Sequence, residues 1–223
     1  MVSILITAGP TREHIDDVRF LSNASSGRMG FALAEAAMAA GHRATVVLGP
    51  VELSPPAGAE VLPVTSALQM QQAAADAFVT CDVLIAAAAV SDWRPAERRA
   101  GKPPRQPGAF TLELVPNPDI VAGLAEHKGD RVVYGFALES VSAGMAAAIE
   151  RGRRKLERKR LDGVVVNLHD AIGRDEAEFV LCDPQGERAL PGRGKRAAAD
   201  AIVAAAVELW RERAGRGGQD GRE

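Results

Sequence analysis

Between residues 22 and 30 the chain has small and hydroxyl-bearing residues where a phosphate group could bind. The segment reads Ser22-Asn23-Ala24-Ser25-Ser26-Gly27-Arg28-Met29-Gly30. It lies between an apolar run from Ile4 to Thr7 and an apolar helical stripe that starts at Phe31 and that Gly41 ends. Gly27 and Gly30 let the backbone approach an anion, and the first N–H groups of a helix attract negative charge. The pattern indicates nucleotide-dependent chemistry.

The same two glycines also suit close packing of a helix against a strand, so two interpretations of this loop stay open. The loop lacks the Gly-x-Gly-x-x-Gly fingerprint of dinucleotide-binding proteins. The next strand, Ala44 to Leu48, ends in Gly49-Pro50, and a carboxylate follows only at Glu52. An NAD(P)-dependent oxidoreductase therefore ranks below a nucleotide user, and a non-catalytic nucleotide-binding module is a further alternative.

A second segment with reactive side chains runs from residue 91 to residue 109 and is strongly basic. Its cations are Arg94, Arg98, Arg99, Lys102 and Arg105. Prolines and glycines between them oppose regular structure, so the segment is predicted to be a long loop. Long loops inside compact domains are usually functional or disordered, so a mobile phosphate clamp and a solvated surface loop stay open as two nearly equal interpretations.

Residues 22–30 and 91–109 lie within an alternation of apolar runs and helical patterns that extends along the chain. The apolar runs are Ile4 to Thr7, Ala44 to Leu48, Val61 to Val64, Val83 to Val90, Val132 to Phe136 and Gly163 to Val166. This alternation predicts a Rossmann-like three-layer α/β sandwich with a mostly parallel central sheet and ligands at the carboxyl ends of its strands. Residues 110–115 and 177–182 predict short strands in a small additional β layer or dimerisation arm.

Local signals predict where the helices begin and end. Ser66 fits a capping box that opens a helix through Phe78, and Pro118 suits the first turn of a helix through Glu126. A last helix is expected from Lys195 to Arg213. Residues 1–213 then form a single domain, and residues 214–223, rich in glycine and charge, are expected to be a disordered tail.

Composition narrows the class of protein. The chain has 223 residues, of which 47% are hydrophobic and only 4% aromatic, so small aliphatic side chains must fill the core. A formal net charge of −2 gives no general attraction for nucleic acid. Cys81 and Cys182 form no Cys-x-x-Cys pattern and are interpreted as reduced structural residues. No signal peptide or apolar run of about 20 residues occurs, so we expect a cytoplasmic protein without a membrane segment.

Longer blocks of the sequence closely resemble phosphopantothenoylcysteine synthetase, the phosphopantothenate–cysteine ligase family of coenzyme A biosynthesis. In chain order the blocks are Ile6 to Glu13, Val18 to Gly30, Ala86 to Pro95, Leu114 to Val121, Gly135 to Ala137 and Lys155 to Lys159. The resemblance covers nearly the whole chain except the tail. Many bacterial relatives carry a flavin-dependent decarboxylase before this domain, and we expect here a standalone synthetase or an excised domain, without flavin.

The resemblance implies a two-step ligation. The carboxylate of 4'-phosphopantothenate attacks the α-phosphate of CTP or ATP and releases pyrophosphate. The amine of L-cysteine then displaces the nucleotide monophosphate from the acyl nucleotide. By the same resemblance the enzyme is Mg²⁺-dependent, uses CTP in preference to ATP, and is a homodimer whose active site is completed across the interface. A separate phosphopantothenoylcysteine decarboxylase is an expected partner.

The resemblance also assigns site residues. Asn23, Lys102 and Asp92 match catalytic positions: an amide that contacts the acyl intermediate, an ammonium that neutralises the triphosphate, and a carboxylate that holds Mg²⁺. Nucleotide-binding positions are Gly9, Ser25, Gly27, Gly30, Ala86, Ala87, Ala88, Pro118, Asp119, Ile120, Val121, Phe136, Lys155, Lys159 and Asn167. Substrate-binding positions are Asn23, Ala88, Ala89, Asp92 and Arg19, the last of which resembles an arginine that reaches the neighbouring subunit's substrate.

Structural alternatives stay open for several of these positions. Asn23 could form an Asx turn or cap a helix, and Asp92 could form a surface salt bridge. Phe136 and the alanines could be core residues, and lysines near a helix C-terminus are favoured by its dipole. One departure from the family bears on the loop, since Lys102-Pro103-Pro104-Arg105 replaces a Lys-x-Lys-Lys pattern and predicts a stiffer, less charged segment.

Overall fold

A computed structural model describes residues 1–102, 104, 107–139, 142, 144–168, 178–191 and 194–217. The strands are β1 (Ser3–Ala8), β2 (Arg12–His14), β3 (Phe20–Ser22), β4 (Arg43–Leu48), β5 (Glu60–Pro63), β6 (Val83–Ala86), β7 (Trp93–Pro95), β8 (Leu114–Pro116), β9 (Val132–Glu139), β10 (Gly163–Leu168), β11 (Val180–Asp183) and β12 (Gly186–Ala189). The helices are α1 (Arg28–Ala39), α2 (Ala67–Phe78), α3 (Ile120–Glu126), α4 (Gly144–Arg158) and α5 (Lys195–Gly217).

The central sheet confirms the predicted fold class. Its strand order is β12-β11-β10-β9-β6-β1-β4-β5. Neighbouring strands are parallel from β10 to β5, and β11 and β12 are antiparallel. Strands β4 and β5 extend the sheet on one side of β1, whereas β6 begins the extension on the other side. This reversal leaves a crevice at the carboxyl ends of β1 and β6, which is where ligands bind in such sheets.

Alternate residues of the buried strands pack into two separate cores. On β1, Ile4 and Ile6 lie in a core with α1 and α5, whereas Leu5 lies in a core with α2, α3 and α4. Val165 and Val166 of β10 divide in the same way. Because the sheet is covered on both faces, its parallel strands are continuous apolar runs rather than alternating ones.

Two predicted boundaries near the crevice are wrong. Strand β6 ends at Ala86, so the rest of the apolar run to Val90 leaves the sheet. Helix α3 begins at Ile120 and not at Pro118, because the Asp119 side chain accepts a hydrogen bond from the Ala122 N–H at 3.2 Å and caps the helix. The capping box of α2 is confirmed, with the Gln69 N–H bonded to Ser66 Oγ at 3.3 Å.

Helix α5 begins at Lys195 as predicted but continues to Gly217, past the expected end at Arg213. At the expected end, the Arg213 guanidinium donates to the carbonyl oxygen of Arg131 at 2.9 Å and to Asp162 Oδ1 at 2.5 Å. These distant partners anchor the turn of the helix that contains Arg213. Residues 218–223 of the expected tail lie outside the described residues.

The smaller β elements also differ from the predictions. Of residues 110–115, only 114 and 115 belong to a strand, β8, which pairs with β7 inside the segment expected to lack regular structure. Strands β11 and β12 form a hairpin at the edge of the main sheet rather than a separate layer, and residue 177 is not described. A further pair, β2 and β3, was not predicted.

Both cysteines are buried and unpaired, as predicted. Burial raises the pKa of the Cys81 thiol to about 12. Across the described part of the chain, no helix has both the length and the apolar character that a membrane span requires.

Candidate functional site

Two adjoining cavities open at the carboxyl edge of the sheet, beside the crevice between β1 and β6. We call the first the loop cavity; it has a volume of about 380 Å³. It is lined by residues 23–30, residues 87–90, Phe136, Leu138, Lys155, Asn167, Phe179 and Lys195. We call the second the α3 cavity; it has a volume of about 350 Å³ and is lined mainly by the β6–β7 connection, residues 117–121, Phe136, Lys155 and Lys159.

The two cavities share a wall. The residues common to both are Ala88, Val90, Phe136 and Lys155. Of the predicted site residues, Asn23, Ser25, Gly27, Gly30, Ala87, Ala89 and Asn167 line the loop cavity alone. Ala86, Asp92, Pro118, Asp119, Ile120, Val121 and Lys159 line the α3 cavity alone. Residues far apart in sequence therefore meet where two ligands could lie in contact.

The start of α1 is open to an anion. Gly27 precedes the helix with φ 76°, no side chain caps the helix, and its first turn has no acidic residue. A β-carbon on Gly27 would lie 3.0 Å from a Val51 methyl group, so both its conformation and its surroundings favour glycine. Gly9 packs beside Gly27 with φ +77° but does not line either cavity.

Gly30 has a packing role as well as a place in the loop cavity. A β-carbon on Gly30 would lie 2.3 Å from the Ala8 β-carbon, so α1 rests on β1 at a distance that only glycine allows. For this residue the packing alternative is confirmed. The close contact also brings the start of α1 against the end of β1, at the crevice.

The segment that follows β6 is fixed by hydrogen bonds from three sides. The Ala88 N–H donates to Thr7 Oγ1 at 3.3 Å, and the Ser91 N–H donates to Thr11 Oγ1 at 3.0 Å. The Asn23 side-chain amide donates to the carbonyl oxygen of Ala89 at 3.0 Å. Asn23 thus does not cap α1, and it ties the α1 loop to the strand end.

Lys155 and Lys159 lie at the end of α4 beside the start of α3. Lys159 follows the last helical residue and forms an ion pair with Asp119, Nζ to Oδ2 at 2.6 Å. Lys155 donates to the carbonyl oxygen of Phe136 in the shared wall. Burial raises the pKa of Asp119, but the hydrogen bond and charge of Lys159 outweigh it, so the net direction is downward.

In the free protein, the surroundings of Lys155 disfavour the charged form of its side chain. Burial and, secondly, the nearby charge of Lys159 lower its pKa from 10.5 to about 8. A bound anion would offset both effects, so the site favours a negatively charged ligand.

Asp92 is exposed at the lip of the α3 cavity. Asn117 fixes its backbone, donating its N–H to the Asp92 carbonyl oxygen and its amide to the Ser91 carbonyl oxygen, both at 2.8 Å. Among the described residues no hydrogen bond or ion pair engages the Asp92 carboxylate, and no group of three or more His, Cys, Asp or Glu could hold a metal ion. One free carboxylate fits Mg²⁺, which usually takes its other ligands from phosphates and water.

Lys102 and Arg19 lie outside both cavities. Lys102 is exposed and follows a stretch that docks on the β2–β3 turn, where Asp17 accepts from the Gly101 N–H and from Arg98, both at 2.9 Å. Arg19 is paired with buried Asp16, its Nε lying 2.7 Å from Oδ2, and this hydrogen bond contributes most to lowering the pKa of Asp16 to about 2.

Of the basic loop residues, Arg94 is not a phosphate clamp in this conformation. Its guanidinium donates to the carbonyl oxygen of Pro116 at 2.5 Å and to Asn117 Oδ1 at 3.2 Å, across the β7–β8 pair. Arg99 lies 4.5 Å above the Phe110 ring centre. Arg105 lies outside the described residues.

The sequence analysis missed several residues of the loop cavity. These are Arg28, Met29, Leu138, Phe179 and Lys195. For Lys195 the sequence indicated its place at the start of the last predicted helix, but nothing in it connected the residue with this cavity. Leu138 and Phe179 gave no signal either, since apolar residues on strands are ordinarily core.

Comparisons with known proteins identify relatives over most of the chain. A family model described as the DNA/pantothenate metabolism flavoprotein C-terminal domain matches residues 1–209. The coenzyme A biosynthesis bifunctional protein CoaBC of Vibrio vulnificus is 42% identical over 202 residues, 87% of this chain and 49% of its own length. CoaBC of Bacillus subtilis is 44% identical over 171 residues, 76% of this chain and 41% of its own. The chain thus spans about half the length of the curated relatives it matches.

The fold agrees with solved structures of such proteins. The crystal structure of the C-terminal domain of CoaBC is 33% identical to this chain, with a TM-score of 0.78, and the match covers 95% of this chain and 96% of that one. A DNA/pantothenate metabolism flavoprotein from Streptococcus pneumoniae, at 20% identity and a TM-score of 0.82, shares the fold, covering 92% of this chain and 98% of its own.

Proposed function

The chain belongs to the DNA/pantothenate metabolism flavoprotein C-terminal domain family, and from this premise we propose that it is a phosphopantothenate–cysteine ligase. The observation that carries the proposal is the pair of cavities with a shared wall at the carboxyl ends of β1 and β6. Activating a carboxylate with a nucleotide needs two ligands whose reacting atoms touch. Two separate, adjoining cavities of similar volume provide such an arrangement.

In the proposed reaction the acyl nucleotide spans the two cavities across Ala88 and Phe136. A carboxylate oxygen of 4'-phosphopantothenate forms a bond to the α-phosphorus of the nucleotide, and the bond to pyrophosphate breaks. The cysteine amine then attacks the acyl carbon, nucleotide monophosphate leaves, and the amine loses a proton. An activated acyl group is needed because a free carboxylate is a poor electrophile.

The residues have distinct proposed roles. The open start of α1 and Lys155 bind phosphate oxygens, and residues 118–121 with Lys159 hold the nucleoside. Asn23 donates its second amide hydrogen to the acyl group as negative charge develops during cysteine attack. Asp92 would hold Mg²⁺, which supplies charge neutralisation at the triphosphate.

The test is a coupled assay of the purified chain with 4'-phosphopantothenate, L-cysteine and Mg²⁺. We expect release of pyrophosphate and CMP with CTP, a smaller rate with ATP, and none when NAD(H) replaces the nucleotide. Absence of pyrophosphate with both nucleotides would refute the ligase. Turnover without added flavin is also expected, and the product is the proposed substrate of a separate decarboxylase in the cytoplasm.

Replacing Lys102 with glutamine is expected to slow pyrophosphate release by about 10²-fold or more, as the loss of one transition-state donor typically does. Because Lys102 lies outside both cavities, it would act after its loop closes, so the dissociation constant of the nucleotide should change little. Rapid-quench measurement of pyrophosphate separates the two quantities. Arg99→Gln, which removes a loop cation held over Phe110, serves as the control and should keep the wild-type rate.

Nucleotide affinity is expected to fall as the pH rises above about 8, the pKa of Lys155 in the free protein. Below that pH the ammonium is already formed; above it, phosphate binding must restore the proton, which weakens binding by at most about tenfold per pH unit. Calorimetry at pH 8.5 in two buffers of different ionisation enthalpy should show proton uptake. Lys155→Gln should abolish the uptake and Arg154→Gln, at an exposed ion pair with Glu150, should retain it; equal uptake in the Lys155 variant would contradict the assignment.

The proposed enzyme is a homodimer that associates through the two small sheets. Strand β2 lies against β7, and exposed apolar side chains cluster on these sheets and their flanks. They are Val18, Phe20, Trp93, Phe110 and Leu114. Arg19, on the β2–β3 turn, would reach the other protomer's substrate. Sedimentation equilibrium should give twice the chain mass of 23.4 kDa, and Trp93→Ser should shift the protein toward the monomer.

A further inference from the structure

The residue directly before Lys102 is bonded to the β2–β3 turn through its whole backbone. The Gly101 N–H donates to Asp17 Oδ2 at 2.9 Å, and the Asp17 N–H donates to the Gly101 carbonyl oxygen at 3.2 Å. Two residues earlier, the Arg99 N–H donates to the Ile15 carbonyl oxygen at 2.9 Å. Asp17 therefore holds both backbone polar groups of Gly101.

The turn that carries Asp17 is itself joined to the main body of the domain. Inside the turn, the buried Asp16 carboxylate accepts from the Arg19 N–H at 2.7 Å, and the Ile15 N–H donates to the Arg19 carbonyl oxygen at 2.8 Å. Before the turn, buried Glu13 of β2 accepts from the Ala67 N–H at the start of α2, at 2.9 Å. Because buried hydrogen bonds fix it on both sides, the turn can serve as a rigid support.

The contact between Asp17 and residues 98–101 contributes little to packing or to stability. The ion pair of Asp17 with Arg98 is exposed, with 53% and 58% of the two side chains accessible, and such pairs contribute little to stability. Gly101 is exposed, and a β-carbon there would have no described neighbour within 4 Å. Its φ of +67° favours glycine for the backbone path alone. The contact thus determines the direction in which the chain enters Lys102.

We propose that Asp17 is a positioning residue for Lys102: by holding Gly101 it fixes the point from which the Lys102 side chain reaches the nucleotide. The inference rests on the proposed function, in which Lys102 neutralises the triphosphate after its loop closes. Asp17 lies outside both cavities, so it acts through Lys102 and not on a ligand. A fixed base leaves the ammonium fewer positions away from the phosphates, and small errors in the position of a catalytic group cost rate.

Rapid-quench kinetics test the role of Asp17. Asp17→Ala should slow pyrophosphate release about tenfold or more and leave the dissociation constant of the nucleotide unchanged, because the lost interaction matters only in the transition state. Asp17→Asn keeps an oxygen that can accept from the Gly101 N–H and should restore most of the rate. The matched control Glu150→Ala removes another exposed carboxylate, bonded to Arg154 at 2.8 Å, and should keep the wild-type rate. An unchanged or faster rate in Asp17→Ala, or equally slow alanine and asparagine variants, would overturn the inference.

A double-mutant cycle determines whether Asp17 acts through Lys102. In a Lys102→Gln background the anchor has no ammonium to position, so adding Asp17→Ala should cost no further rate. General damage to the fold would instead multiply the two losses. Multiplied losses would therefore contradict the proposed role.

Amide hydrogen exchange tests the anchor without the reaction. Exchange at Arg99 and Gly101 should be at least about threefold faster in Asp17→Ala than in the wild type, and unchanged in Glu150→Ala, because the lost hydrogen bond frees this stretch. Equal exchange in the wild type and Asp17→Ala would overturn the inference while leaving the ligase intact. If the wild type releases no pyrophosphate with CTP or ATP, the proposed function itself fails, whatever the exchange rates are.

Discussion

The Asn23→Ala variant is expected to form the acyl nucleotide at nearly the wild-type rate but to transfer it to cysteine about 10²- to 10³-fold more slowly. The physical reason is that a neutral amide donor matters most when the acyl oxygen becomes negative, which happens only in the second step. Rapid-quench kinetics can follow pyrophosphate release and nucleotide monophosphate release in the same sample. The intermediate should accumulate and be detectable by mass spectrometry.

The structure adds a competing explanation that the same experiment separates. Asn23 also holds the Ala89 carbonyl oxygen at 3.0 Å, so alanine would loosen the shared wall of the cavities. If positioning were its whole role, both half-reactions would slow together. Ser22→Ala is the matched control, because it removes the neighbouring hydrogen bond to the Thr11 carbonyl oxygen without changing the cavity lining. It should affect neither step.

Replacing Asp162 with alanine is expected to lower the free energy of unfolding by about 3 kcal/mol, the lower end of the effect of breaking a buried ion pair. The buried Asp162 carboxylate accepts hydrogen bonds from the Val133 N–H at 2.8 Å, from Lys128 at 2.7 Å and from Arg213 at 2.5 Å. Alanine would leave two half-buried cations and one backbone N–H without their partner. Urea denaturation measures the change.

Two further variants test whether the loss of stability comes from breaking the hydrogen-bonded ion pairs of Asp162. Asp76→Ala removes an exposed carboxylate bonded to Gln72 and should change stability by less than about 0.5 kcal/mol. Combining Asp162→Ala with Arg213→Met should cost less than the sum of the two single changes, because the double variant no longer has that unpaired cation. Strict additivity would show that the network does not act as a unit. Arg213 belongs to α5, so the network also holds the helix whose first residue lines the loop cavity.

Local patterns in the sequence were enough to predict the main helices and strands and their order along the chain. The apolar runs predicted the six parallel strands because burial on both faces requires continuous apolar residues. The Ser66 capping box is likewise a local interaction, and it was predicted correctly. The start of α3 was missed although its cap, Asp119, is local, and the end of α5 was missed where Arg213 bonds to the distant residues Arg131 and Asp162.

The site was predictable to the extent that its residues are close in sequence or match a family pattern. The α1 loop and the Ala86–Ala89 segment were found in this way, and the structure brings them together through Asn23 and Ala89. Lys195 and Phe179 were missed because they enter the cavity from elements remote in sequence. Lys102 was predicted in the site, whereas it lies outside both cavities and its part in catalysis stays a prediction.

The sequence by itself determined the family, the parallel sheet and the small residues of the loop that a phosphate needs, because each depends on side-chain size, polarity and spacing along the chain. Only the tertiary structure decided that the loop belongs to one of two cavities with a common wall. It also showed that Gly30 is required for packing, and that the starts of α1 and α5 meet at one site. The cations that line the loop cavity and the close contact of α1 with β1 come from chain segments far apart in sequence, so no local pattern encodes them.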